Sequence, residues 1–368
     1  PRVRRQRQMC IRDRSRHGGD IYGFSDEERD KFLDFSININ PLGLSPKGKA
    51  ALTAGWEKET LRYPDVKCRD LIKALSERYH VNETNIVVGN GATELMYAIL
   101  RIINPDLVLI PAPSFSEYRL SAEAAGAKVL SLMSEPAASF KAFMEEVKNN
   151  IQQNSLIYAG NPNNPDGLLL DSRDLSDLIE IADAASSFLV IDESFIDFVG
   201  DVYSYRNLSE THSNVIIVTS LTKFYAVPGL RIGCAFLPQA IRDQVNQNLV
   251  PWNVNGLAQL YMVHAVKDNE YIEESISFCL MQRAKLVERL KEFPEIKVYP
   301  GTVNFVLCEL LVKGMDAKAL QAKLIHYGII IRKCGNYEGL DDSFFRVAVR
   351  SDIENNKLIN ALHEVLAK

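Results

Sequence analysis

Five short runs of apolar, largely β-branched residues limit what this chain can fold into: Ile86–Val88, Leu107–Ile110, Leu156–Ala159, Phe188–Ile191 and Val215–Thr219. Segments of helix length separate them, such as the one capped by Asp171-Ser172 and running to about Ala185. Ahead of them, Arg69–Tyr79 places Leu71, Ile72, Leu75 and Tyr79 on one helical face. Continuous apolar strands alternating with helices predict an α/β fold with a mainly parallel sheet covered on both faces. The C-terminal ends of such strands share one edge, where α/β folds bind their ligands. Asn90, Asn164, Asp192 and Lys223 each follow a strand end, so the four can converge.

Lys223 carries the most chemistry. It follows the strand Val215–Thr219, with Ser220, Thr222 and Arg231 close by in sequence. This set suits a cofactor bearing an aldehyde and a phosphate: the amine forms a Schiff base, while hydroxyls and guanidinium hold the phosphate. A lysine before a turn is also common on a surface, so the assignment draws on other stretches. Residues 85–94 read as a strand, a glycine turn (Gly89, Gly91) and a helix start, which together cradle an anion. Pro113–Tyr118 opens a helix with aromatics near the sheet rim. Asp34–Gly43 (DFSININPLG) alternates polar and apolar residues before a Pro/Gly turn. It predicts an extended segment crossing a site with Ser36, Asn38 and Asn40 on one face, although asparagines there also cap turns.

Beyond about Leu237 long helical segments, such as Glu270–Phe293, precede short strands at Asn304–Glu309, Ile329–Lys333 and Phe344–Val349. This predicts a smaller α+β domain. Arg332 and Arg346 each stand in or beside an apolar strand there. Desolvating an arginine is costly, so an anionic ligand or a structural salt bridge is expected for each.

The 368 residues are 46% hydrophobic and 24% charged, enough for two lobes. A net charge of −5 gives no general attraction to nucleic acid. The six cysteines lack paired spacing, which predicts reduced thiols in a cytoplasmic protein and no metal site. No uninterrupted apolar run is long enough to span a membrane. Residues 1–16 hold seven arginines and almost nothing to bury, and are read as a disordered or non-native extension.

Taken together these stretches resemble the fold-type I pyridoxal-phosphate enzymes (aspartate aminotransferase-like, class I/II). Within them the chain is similar to the histidinol-phosphate aminotransferase branch, and most of all to the L-threonine-O-3-phosphate decarboxylases of cobalamin synthesis. The resemblance rests on His17-Gly18-Gly19, DFSININPLG (34–43), RYPD (62–65), DESFIDF (192–198), SLTKFYAVPGLRIG (220–233), PWNVN (251–255) and CGNYEGLDDSFFRVAVRS (334–351). It implies that Lys223 carries the cofactor, Asp192 faces its ring nitrogen, Asn164 bonds its phenolic oxygen and Phe115 stacks on the ring. Gly91, Ala92, Ser220, Thr222 and Arg231 match the phosphate cradle. Tyr63 matches a tyrosine reaching the partner subunit's cofactor, which implies a homodimer with shared sites. Arg346 matches the arginine for the substrate α-carboxylate. Arg332, with His17, Gly18 and Asn38, matches the group for the substrate's own phosphate. The implied organisation is an N-terminal lid over 17–50 belonging to the small domain, a large cofactor-binding domain over 51–240, and connecting helices with the small domain over 241–368.

Two departures stand out. Phe195 replaces the tyrosine that donates to the ring oxygen in the aminotransferases, as in the decarboxylases. Asp166 replaces the usual threonine after N-P-N-N-P, where its carboxylate can still cap the turn. The expected activity is a carboxy-lyase acting on O-phospho-L-threonine. The alternatives are a histidinol-phosphate aminotransferase or an O-phosphoserine decarboxylase. An effector-binding module of a transcription regulator would need a folded DNA-binding domain, which sixteen residues cannot form.

Overall fold

The computed structural model describes residues 18–366 except 20, 30 and 135–139. The arginine-rich residues 1–16 and His17 therefore lie outside the described residues. Strand β1 is Leu33–Asp34; β2 is Ile86–Gly89, β3 Leu107–Ala112, β4 Lys128–Met133, β5 Ser155–Gly160, β6 Phe188–Asp192, β7 Val215–Ser220 and β8 Gly233–Phe236. The large sheet has the order β2-β8-β7-β6-β5-β3-β4. Only β8 runs antiparallel to its neighbours, so β2 and β7 still end on the same edge. Residues alternate between two buried layers, as the continuous apolar runs require. Ile86, Leu109, Ile157, Ile191 and Ile217 enter one core, while Val87, Val108, Leu156, Val190 and Ile216 enter the other.

The second sheet comes from the C-terminal third. Strands β9 (Ile296–Val298), β10 (Phe305–Leu310), β12 (Arg332–Lys333) and β13 (Phe344–Ala348) form an antiparallel sheet of order β12-β13-β10-β9. Strand β11 (Ile329–Ile330) instead pairs in parallel with β1. The strand expected over 329–333 is thus two strands serving two sheets. Between them the Ile331 amide donates to Gln321 Oε1 at 2.7 Å, outside either ladder. A separate core of Phe35, Val306, Phe345, Leu358 and Leu362 lies beneath this sheet. The helix Asn269–Leu290 joins the lobes: Tyr271 and Cys279 pack into the large core, Leu286 and Leu290 into the small one.

The N-terminal segment is tied to both lobes. The Phe35 amide donates to Ile330 O at 2.7 Å, and the Asn40 amide to Lys223 O at 3.0 Å. The expected single polar face of 34–43 does not form. The chain bends at Ser36-Ile37, so Ser36, Ile37, Asn38 and Ile39 all line one cavity. Asn40 is buried elsewhere, its amide donating to Phe224 O, Tyr271 Oη and Ser275 Oγ. It braces the lysine segment from below. Among the described residues no helix is long and apolar enough to cross a membrane, and no His/Cys/Asp/Glu cluster could hold a metal.

Candidate active site

A cavity of about 470 Å³ opens where the C-terminal edge of the large sheet meets β12 and β13. Of the residues expected at a site, it gathers Gly18, Asn38, Ala92, Phe115, Asn164, Asp192, Ser220, Thr222, Lys223, Arg231, Arg332 and Arg346. Asn90 is exposed outside it, its amide donating to Glu94 Oε2. Tyr63 is also outside: it is 78% exposed and packs on Trp252 with ring centroids 4.9 Å apart.

Lys223 sits on a single helical turn, Leu221–Phe224, directly after β7. Burial lowers its pKa to about 8; Asp192 acts in the opposite direction, and Arg231 and Arg346 add to the lowering. Near neutrality a useful fraction of the amine is therefore unprotonated and nucleophilic. Its Nζ lies 5.2 Å from the centroid of the Phe195 ring, which offers no hydrogen-bond donor.

Asp192 closes β6 and is fixed at both oxygens. Oδ1 accepts from the Ser194 amide at 2.9 Å and Oδ2 from the Tyr118 hydroxyl at 2.8 Å. Burial and the nearby Asp192 carboxylate push the Tyr118 phenol well above its ordinary pKa, so it remains a donor. Tyr118 stacks in parallel on Tyr158 with centroids 4.4 Å apart, which fixes its direction.

The phosphate cradle is built from backbone. Gly91 precedes the helix Ala92–Ile103 with φ of 90°, and no side chain caps the first turn. That positive φ favours glycine, and a Cβ there would stand 2.7 Å from Arg231 Nη2, so the turn and the guanidinium lie close together. Ala92 and Thr93 in the first turn of that helix, with Arg231, Ser220 and Thr222, surround one corner, with the two hydroxyls 2.9 Å apart. Gly18 makes a comparable close approach: a Cβ there would fall 2.2 Å from Ser36 O. Asp166 Oδ1 accepts from Asn163 Nδ2 at 3.0 Å and the Leu168 amide at 3.2 Å, the expected turn cap.

Opposite lie Arg332 and Arg346, 7% and 5% exposed, directly across from each other in the β12–β13 ladder. Arg346 forms no salt bridge with a carboxylate among the described residues. Arg332 donates to Asn336 Oδ1 at 2.8 Å and to Lys333 O. Arg346 donates to Asn164 Oδ1, and its Nε has no partner. Asn38 Oδ1 is likewise buried without a partner. The orphaned Nε of Arg346, at a cavity that a second arginine also lines, fits an anionic ligand.

Comparison with known proteins agrees with this geometry. Residues 30–363 match the family described as aminotransferase class I and II. The chain belongs to that family. It has the aspartate aminotransferase-like fold type I, and its cofactor is pyridoxal 5′-phosphate. The threonine-phosphate decarboxylase of Salmonella typhimurium is 32% identical over 362 residues, 96% of this chain and 97% of that one. The histidinol-phosphate aminotransferase of Methanocaldococcus jannaschii is 31% identical over 350 residues, 94% and 91% of the two chains. The crystal structure of the histidinol-phosphate aminotransferase from Clostridium acetobutylicum superposes with a TM-score of 0.82 at 32% identity, covering 90% of this chain and 98% of that one.

The residues present fit the cofactor: a desolvated amine, an oriented carboxylate, a bare glycine turn and an arginine. Two participants escaped the sequence-based assignment, Tyr118 and Tyr337. Tyr337 lines the cavity, and its hydroxyl donates to Asn164 Oδ1 at 3.1 Å. Both stand in stretches singled out for other reasons (113–118 and 334–351); the available signal was that a buried phenol must find a polar partner.

Proposed function

We propose that this family member is a carboxy-lyase. It removes CO2 from O-phospho-L-threonine and leaves (R)-1-amino-2-propanol O-phosphate, a step in cobalamin biosynthesis. The observation that carries the reading is Phe195, an apolar ring facing Lys223 where the aminotransferases of this branch resemble one another in having a phenol.

Pyridoxal phosphate, when bound, would supply an electron-withdrawing ring that makes a bond at the substrate Cα breakable. Asp192 holds the proton on the ring nitrogen, and Tyr118 and the Ser194 amide keep its oxygens in place. Ser220, Thr222, Arg231, Gly91 and Ala92 hold the cofactor phosphate; Phe115 covers the ring and Asn164 its phenolic oxygen. Arg346 takes the substrate carboxylate, and Arg332, with Gly18, Asn38 and His17, its phosphate. Held at both ends, the substrate would present its Cα–carboxylate bond rather than Cα–H for cleavage. The carboxylate leaves as CO2, the electron pair stays with Cα, and the Lys223 ammonium returns one proton to Cα.

Members of this family are typically dimeric. Tyr63 reaches the partner's site in this reading, so Tyr63→Ala chains mixed with Lys223→Ala chains should show the complementation of shared sites. A fully active monomer by light scattering would refute it.

The decisive assay offers O-phospho-L-threonine, O-phospho-L-serine and histidinol phosphate and identifies the products by mass. One CO2 per phosphothreonine consumed, with no keto acid added, is expected. Turnover that requires 2-oxoglutarate and yields glutamate makes the chain a histidinol-phosphate aminotransferase, the reading favoured by the equal identity of those relatives.

A further inference from the structure

Beside the reaction cavity lies a second one of about 460 Å³, within the range of small-molecule sites. It runs between the end of β3 and the loop after β12, with Ala112 and Ser116 on one side and Gly335 and Asn336 on the other. Glu338 latches that loop to the large lobe, accepting from Arg119 Nη2 at 2.9 Å and Ser131 Oγ at 2.6 Å. Three residues line both cavities: Phe115, Arg332 and Tyr337. The first two have roles in the reading above, and Tyr337 has none.

Tyr337 touches three groups of the site: Asn164, Arg346 and Arg332. Its hydroxyl donates to Asn164 and receives Arg346 Nη1 at 3.4 Å. Its ring carries the Arg332 guanidinium 5.2 Å from the centroid. An aromatic side chain has only two torsions, so a hydrogen bond at its far end makes it a stiff partition.

We infer that Tyr337 determines substrate size, walling the reaction cavity off from the second cavity and so confining the substrate to a small phosphorylated amino acid. The inference rests on the phosphorylated-substrate reading above. With the ring removed, the second cavity accepts an additional aromatic substituent. Nothing else in the partition must move, because Phe115 and Arg332 remain.

The test measures binding of two phosphorylated amines to the holoenzyme by calorimetry. 1-Amino-2-propanol O-phosphate and histidinol phosphate share a phosphorylated two-carbon amine; one adds a methyl group, the other an imidazolylmethyl group. Tyr337→Ala should shift the ratio of their dissociation constants toward histidinol phosphate by about tenfold or more, since burying such groups in a fitted pocket is worth at least that. Tyr337→Phe keeps the wall and should leave the ratio unchanged. Refilling the cavity from its far side with Ser116→Phe in the Tyr337→Ala background should restore the original ratio. Equal weakening of both amines by Tyr337→Ala, or an equal ratio shift in Tyr337→Phe, overturns the inference. If Tyr337→Ala does not fold, Tyr337→Leu opens the same wall and is judged alike. Wild-type protein that binds neither amine sinks the phosphorylated-substrate reading itself; wild-type binding of the small amine with a ratio that Tyr337→Ala does not move sinks this inference alone.

Discussion

The two halves of the active-site cavity are finished to different degrees. On the large sheet the polar groups answer one another: Asp192 is held at both oxygens, and Ser220 and Thr222 pair. On the small sheet two arginines face each other, and Arg346 Nε has no partner. Like charges directly opposite in a ladder are destabilising, and a buried unmet donor costs about 1–3 kcal/mol. The cofactor half is therefore pre-organised by the fold. The substrate half leaves the Arg346 Nε donor unmet, where an anionic ligand can be received.

The largest test of this contrast is Lys223→Ala. It should abolish the borohydride-reducible cofactor link to the chain and lower turnover by about 10³-fold or more, as loss of a proton-transferring group does. A reduced adduct on another lysine would show that the wrong amine was chosen. Next come the arginines. Removing one member of a buried charged contact costs about 2–5 kcal/mol, so Arg346→Ala should lower kcat/KM about 30-fold or more. Arg332→Ala should do the same for phosphorylated substrates while scarcely affecting an unphosphorylated analogue; equal losses on both would make the arginine structural.

On the pre-organised side, Tyr118→Phe removes one hydrogen bond to a buried carboxylate, worth about 1–3 kcal/mol. It should lower kcat about tenfold and lower Tm with or without ligand. The smallest effect is in pH. Cofactor uptake by apoprotein needs the neutral amine, so its rate should rise with pH through about 8 and then level off. Asp192 raises the Lys223 pKa and Arg346 lowers it, so Asp192→Asn should move the inflection down and Arg346→Ala should move it up. Stopped-flow absorbance across pH reads both; a wild-type inflection at the ordinary lysine value would mean the amine is not desolvated.

The sequence made the large lobe legible because its strands are continuous apolar runs with polar residues at their ends. Asn164, Asp192 and Lys223 could be read as converging for that reason, and they do. Asn90 could not be separated from them, because a strand end says nothing about which way the next turn leaves. The small lobe was harder to read. Ile329–Lys333 looks like one strand, and only the tertiary partners, β1 on one side and β13 on the other, divide it. The alternation in 34–43 suggested a pleated face; anchors at Phe35 and Asn40 impose a bend instead. Tyr118 and Tyr337 were visible as residues but not as partners, since their roles depend on hydrogen bonds between segments distant in sequence.

The helix Asn269–Leu290 has a thermodynamic consequence. Its 22 residues make a rod about 33 Å long with one end in each core. Neither lobe can melt without fraying the rod inside the other. Heat should therefore unfold the two lobes as one cooperative unit, giving a single calorimetric endotherm despite two separate cores.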